Sequence, residues 1–210
     1  MATPWRSGGS SNLELNWDVL LIGGPSGTGK TRVSYPLARH FGIGITEQDD
    51  IHVAVEAMTT PEQMPLLHYF RTHPEAQDLE PEQILEVFIG VCRSLTPAFA
   101  AVIANHIESR VPIVLEGDYA LPEILSPESR QPGAPMERVA AAWLYEPDEG
   151  QIKRNLNARE PEHDHTKRAR VSWLHGEWLR AECERLGLVA LPARPWETVL
   201  ERVIRAIGSA

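Results

Sequence analysis

Apolar residues follow two patterns along this chain. Short unbroken runs occur at Asp18 to Gly23, Gly42 to Thr46, Val111 to Gly117, Val139 to Tyr145 and Leu188 to Leu191. Runs of this length without polar interruption predict buried strands. Between them the apolar positions fall at helical spacing. Arg32 to Phe41 has a helical pattern. Ile84, Phe88, Val91 and Leu95 form one stripe, and Val102, Ile103 and Ile107 resume it after Pro97. Trp173 to Gly187 reads as another helix, with Gly187 as its stop. Val199, Val203, Ile204 and Ile207 make the final segment, Pro195 to Ile207, amphipathic. Strands alternating with helices predict an α/β domain with a parallel sheet.

The stretch 61–110 is the longest insertion between strands and predicts two or three helices, with Thr96-Pro97 as N-cap and first position of a new one. Such a helical insertion could cap a substrate. Pro122 to Pro135 is rich in proline and polar residues and reads as a loop. Residues 146–170 begin helical, become strongly charged, and suit a lid. Residues 1–12 are Gly/Ser-rich and polar, a loose tail with no apolar signal region. The remainder, 13–210, reads as a single domain, natural for a chain of 210 residues.

Composition narrows the function classes. Hydrophobic content is 42%, ordinary for a globular protein, and no apolar stretch stands out as long enough to span a bilayer. A net charge of −9 argues against a broad nucleic-acid-binding face. It leaves room for a small anionic ligand in a locally basic pocket. Cys92 and Cys183 are far apart and in no Cys-x-x-Cys pair, which suits idle thiols in a reducing cytoplasm.

The first strand runs into Gly24-Pro25-Ser26-Gly27-Thr28-Gly29-Lys30-Thr31, which fits the phosphate-binding loop G-x-x-x-x-G-K-[ST]. Strand, glycine loop and helix follow one another in the order the motif requires. Gly24, Gly27 and Gly29 let backbone N–H groups approach a polyphosphate, and the following helix N-terminus favours anions. Lys30 is placed to reach the β- and γ-phosphates of ATP, and Thr31 to put its hydroxyl on Mg²⁺. The plainer reading, a glycine turn, has no use for Lys-Thr at this offset.

Acids and bases complete the picture. Asp49 and Asp50 follow the second strand at the sheet edge where ligands gather in open α/β folds. A carboxylate there could take the proton of an acceptor hydroxyl, or the pair could simply cap the next helix. Glu116 and Asp118 end the third strand as Glu-Gly-Asp; Glu116 could join the Mg²⁺ shell and Asp118 could meet substrate. The basic cluster Lys153, Arg154, Arg159, Lys167, Arg168 and Arg170 could fold over ATP, chiefly through Arg154 and Arg159, with Arg168 also open. Arg71 and Arg93 in the insertion could hold an anionic acceptor. His163-Asp164-His165 lacks further ligands at metal-binding spacing and reads as exposed lid. Trp173 and Trp178 read as helix packing.

With these residues in place, the chain resembles the P-loop small-molecule kinases of nucleoside-monophosphate-kinase-like fold, and within them 2-phosphoglycerate kinase and its relatives. The carrying segments are Leu20 to Thr31, Asp49-Asp50-Ile51, Ile113 to Gly117 and the charged lid with the Trp178 helix. The resemblance implies a three-layer fold with a five-stranded parallel sheet in the order 2-3-1-4-5. It places Asp49 against the acceptor hydroxyl, and Lys30 and Thr31 in the cradle. It implies a small-metabolite kinase with ATP and Mg²⁺ as cofactors and a nucleotide and a small molecule as partners. Two other readings stand beside it: a GTPase or ATPase, disfavoured because no Asn-Lys-x-Asp guanine motif follows the loop, and a nucleotide-binding regulator that retains the cradle.

Overall fold

The computed structural model describes residues 15–126 and 136–208. Five parallel strands form the central sheet: β1 (Val19–Gly23), β2 (Gly44–Glu47), β3 (Ile113–Gly117), β4 (Val139–Tyr145) and β5 (Ala190–Pro192). Their order is β2-β3-β1-β4-β5, as the resemblance implies. Strand periodicity explains why the runs are apolar without interruption. In β1, Val19 and Leu21 face one core cluster while Leu20 and Ile22 face another. A parallel sheet covered on both faces needs an apolar side chain at every position.

Helices α1 (Thr31–Phe41) and α7 (Trp196–Gly208) cover one face through Val33, Leu37, Val199, Val203 and Ile207. Helices α4 (Pro81–Ser109) and α6 (Thr166–Leu186) cover the other through Cys92, Leu95, Phe99, Ile103, Leu179 and Cys183. Helix α2 (Gln48–Met58), the short α3 (Tyr69–Thr72) and a 3-10 turn at Pro74–Asp78 lead into α4. Helix α5 (Glu149–Arg159) packs on α6 through Ile152, Leu156 and Ala169, a small cluster separate from both main cores.

Four expectations are corrected. Thr96-Pro97 starts no helix: Pro97 lies inside the 29-residue α4. A proline there forfeits one helical hydrogen bond at a cost of about 3 kcal/mol. Leu95, Phe99 and Ile103, each fully buried on the same face, supply more than that by burial. Secondly, α4 is long and apolar enough to cross a membrane by length and composition, and Cys92, Leu95, Phe99 and Ile103 bury one stripe of it against the sheet. Thirdly, α6 begins at Thr166 and not at Trp173, so the end of the charged segment, 166–170, is helical. Asp164 accepts hydrogen bonds from the N–H and hydroxyl of Thr166 and starts it. Lastly, Pro122–Leu125 of the proline-rich loop forms a 3-10 turn. Residues 127–135 of that loop, and the tail 1–12, lie outside the described residues.

Other expectations hold. Gly187 ends α6 in the left-handed conformation. Trp173 packs on the α5–α6 cluster and Trp178 on the main core. Cys92 and Cys183 are free and buried, and loss of hydration raises both thiols, Cys183 to about 12, which leaves them unreactive.

Candidate active site

The glycine loop leaves β1 and enters α1 at the C-terminal edge of the sheet. Gly24, Gly27 and Gly29 all have positive φ, at 141°, 81° and 82°. Space is as restrictive as conformation. A Cβ on Gly27 would meet Ile152 at 3.0 Å, and one on Gly29 would run into the Trp196 ring. The Pro25 carbonyl accepts hydrogen bonds from the Thr28 hydroxyl at 2.8 Å and from Lys30 Nζ at 3.0 Å. Lys30 also pairs with Asp118 and is only 6% exposed, an ammonium held in place inside the loop.

A cleft of about 730 Å³ opens beside the loop. Its lining includes the loop residues Ser26, Gly27, Gly29, Lys30, Thr31 and Arg32 together with Asn155, Arg159, Arg168 and Trp196. It also includes Glu47, Asp49, Tyr119, Phe70, Ile84, Phe88, Ser172 and His175, with Glu116 and Asp118 in contact with Thr31 and Lys30 of the loop. The Thr31 hydroxyl donates to Glu116 Oε2 at 3.3 Å. Glu116 and Glu47 are direct cross-strand neighbours at the ends of β3 and β2. Burial raises Glu116 to about 7 against the pull of Lys30, and the carboxylates of Asp118 and Glu47 add to the rise. Asp49, in the first turn of α2, is raised by lost hydration and by Asp118, with Lys30 and His52 opposing.

The fold therefore brings Lys30, Thr31, Asp49, Glu116, Asp118 and Arg159 to one cleft. Asp50, Arg71, Arg93 and Arg154 do not line it. Asp50 follows Asp49 in the helix and so lies about 100° round its axis. Arg71 bonds Glu56 at 3.2 Å and His68 Nδ1 at 2.6 Å. Arg93 makes a two-pronged pair with Glu123 at 2.9 and 3.2 Å. Arg154 pairs with Asp148 at 2.9 Å. The pocket expected around Arg71 and Arg93 is thus not formed by them: each is held by a carboxylate on a neighbouring element. His165 is buried and bonds the Glu160 carbonyl at 2.8 Å; among the described residues no group of three or more His, Cys, Asp or Glu is placed to hold a metal.

Sequence reasoning left Arg168 open and missed several other participants. Arg168 reaches Ser26 Oγ at 3.3 Å and Glu160 at 3.0 Å, beside Arg159, which contacts the same two residues. Asn155 Nδ2 donates to the Gly27 carbonyl at 2.8 Å and ties α5 to the loop. Gln48 is fully buried and its Oε1 accepts from the N–H groups of Tyr119 and Ala120, both at 2.8 Å, fixing the turn that carries Asp118. Gly117 makes room for it, since a Cβ there would meet the Gln48 side chain at 2.6 Å. His175 lines the cleft at 2% exposure, and its Nε2 has no hydrogen-bond partner. Of these only Arg168 carried a sequence signal, its place in the basic run.

The fold is shared with solved kinase structures. Two solved structures show the likeness over nearly the whole chain. A gluconokinase from Sinorhizobium meliloti 1021 matches with a TM-score of 0.51 and 18% identity, over 93% of each chain. A sugar kinase from Janibacter sp. HTCC2649 matches with a TM-score of 0.50 and 18% identity, over 92% of this chain and 96% of that one. No protein-family model matches the chain, and no curated protein sequence does. Identity at this level speaks for shared architecture; the activity is argued from the cleft.

Proposed function

We propose that this protein is an ATP- and Mg²⁺-dependent kinase that phosphorylates a hydroxyl group of a small molecule. One observation carries the reading: a phosphate cradle and, across the same cleft, a carboxylate raised above its usual range that pairs with no cation among the described residues. A plain nucleotide-binding module needs the first and has no use for the second. The fold match to two kinases of small molecules supports it.

In this reading the glycine loop and Lys30 hold the triphosphate. Asp49 takes the proton of the acceptor hydroxyl as its oxygen attacks the γ-phosphorus. The new P–O bond forms as the bond to the β–γ bridging oxygen breaks, and the electron pair leaves with ADP. Arg159 and Arg168, exposed on α5 and α6 and already touching the loop, offset charge on the transferring group. The adjacent oxygens of Thr31 and Glu116 are hard donors that suit Mg²⁺. Bound there, the ion would supply positive charge to the phosphate oxygens. Helix α5 and the first turns of α6, which share a small cluster separate from the main cores, serve as the lid. The resemblance to 2-phosphoglycerate kinases would make the acceptor an anion; the side chains facing Asp49 bear on that choice.

Incubation of the purified protein with ATP, Mg²⁺ and a metabolite mixture should yield a compound heavier by one phosphoryl group. The product should vanish with Lys30→Ala. ATP consumption that is indifferent to every acceptor would sink the kinase reading.

A further inference from the structure

The two halves of the cleft carry opposite charge. Its basic residues are Lys30, Arg32, Arg159 and Arg168, and all four belong to the phosphate side. Each is engaged there: Lys30 with the loop and Asp118, Arg32 over the Trp196 ring at 5.8 Å, and the other two with Ser26 and Glu160. The acceptor side carries Glu47 and Asp49, flanked by Asp118, which pairs with Lys30, and by Glu116, which meets Thr31. Arg71 and Arg93, the nearby cations of the helical insertion, are held by Glu56 and Glu123 outside the cleft. An acceptor bearing a carboxylate or phosphate would meet like charge with no arginine to receive it.

What the acceptor side offers instead is apolar and aromatic. Phe88 sits between Tyr119 and His175, with ring centroids 5.5 and 5.2 Å apart, and Phe70 and Ile84 extend the wall. Phe70 is 41% exposed, a large apolar ring open to solvent at the rim. Among the described residues, His175 Nε2 in this wall is a buried polar atom with no hydrogen-bond partner. A buried polar group without a partner costs about 1–3 kcal/mol, and a bound hydroxyl or amide would relieve it. His175 lines the cleft, and burial lowers its imidazole to about 4 against the pull of Asp118, so it is neutral and donates or accepts a single hydrogen bond.

We propose, resting on the kinase reading above, that the acceptor is an uncharged or cationic alcohol with a flat apolar face, seated on Phe88 and Tyr119 and hydrogen-bonded to His175 Nε2. Its hydroxyl is the one that gives its proton to Asp49 and takes the γ-phosphoryl group of ATP.

Matched pairs test the charge requirement. Pyridoxine, adenosine, uridine and pantothenol would be compared with 4-pyridoxate, AMP, UMP and pantothenate, with gluconate and 2-phosphoglycerate added to the anionic set. Transfer is read as ATP-dependent mass gain, and binding as competition for the cleft followed by NMR. The neutral set should be preferred by 100-fold or more in kcat/KM. His175→Phe should raise KM for the acceptor at least tenfold and leave KM for ATP unchanged. Ile84→Arg, which adds a cation to the wall, should narrow the gap between the two sets. Preference for the anionic members overturns the proposal, as does a cleft that binds neither set. If the neutral compounds bind yet none is phosphorylated, the acceptor chemistry stands and the kinase reading falls.

Discussion

Two buried carboxylates at opposite edges of the same sheet meet opposite fates. Asp18, just before β1, is 3% exposed and receives both prongs of Arg138 at 2.8 Å, with Arg110 at 3.2 Å. The Arg138 hydrogen bonds outweigh burial and hold its carboxyl below the usual range. Glu116, at the end of β3, is 5% exposed and has no arginine. Lys30, the cation within reach, pairs with Asp118, and Glu116 rises to about 7. Both side chains are nearly closed to solvent, but Glu116 lies deeper among protein atoms and lacks a paired cation, so lost hydration dominates there while the arginines dominate at Asp18. A satisfied acid at the N-terminal edge holds strands together. An unsatisfied one at the C-terminal edge stores a cost that a bound cation would remove.

The largest effect expected is on transfer at the unsatisfied edge. Lys30→Ala should lower turnover by 100-fold or more, about 3 kcal/mol of transition-state stabilisation, with an unchanged circular dichroism spectrum. Asp49→Asn should also lower turnover about 100-fold while ATP affinity, read by calorimetry, moves only a few-fold. Equal losses of binding and turnover would remove Asp49 from the chemistry.

The other edge should respond in the opposite currency. Asp18→Asn should cost about 2–3 kcal/mol in urea unfolding, because it leaves two arginines facing a neutral group, and should leave ATP affinity alone. Asp18 is lowered in the fold, so its contribution is present above its unfolded value near 3.8 and is lost as pH falls through the lower folded value. A stability change smaller than that of an exposed ion pair would break the contrast between the edges.

The subtlest effect is a pair of opposing slopes. Glu116 rises from 4.5 to about 7 on folding, so it withdraws stability as pH climbs through that window, by up to about 3 kcal/mol. His175 falls from 6.5 to about 4 because burial disfavours its cation. It contributes stability above 6.5 that is lost as pH drops toward 4, by a similar amount. In Mg²⁺-free protein the two should nearly cancel between pH 4.5 and 6.5. Glu116→Gln should expose the His175 slope, with melting temperature rising with pH. A flat profile in that variant would show that His175 is not held neutral.

Much of this was legible along the chain, and for a local reason. Phosphate binding by a glycine loop depends on consecutive backbone groups, so Gly24 to Thr31 carries its own geometry. Burial on both faces of a parallel sheet demands unbroken apolar runs, so five strands could be read directly, β4 to the residue. Helix ends were less legible: Pro97 and the start of α6 turned on packing against distant elements.

Sequence by itself determined the strands, the phosphate loop and the pool of acids and bases from which a site could be made. Tertiary structure decided which of them face one another. It turned Arg71, Arg93 and Arg154 to neighbouring carboxylates, brought Arg168 to Ser26, and closed Gln48 and Asn155 onto the loops that carry the cleft. The reason is reach: a charged side chain takes the partner that folding sets within about 3 Å, and that partner can lie over a hundred positions away in the chain.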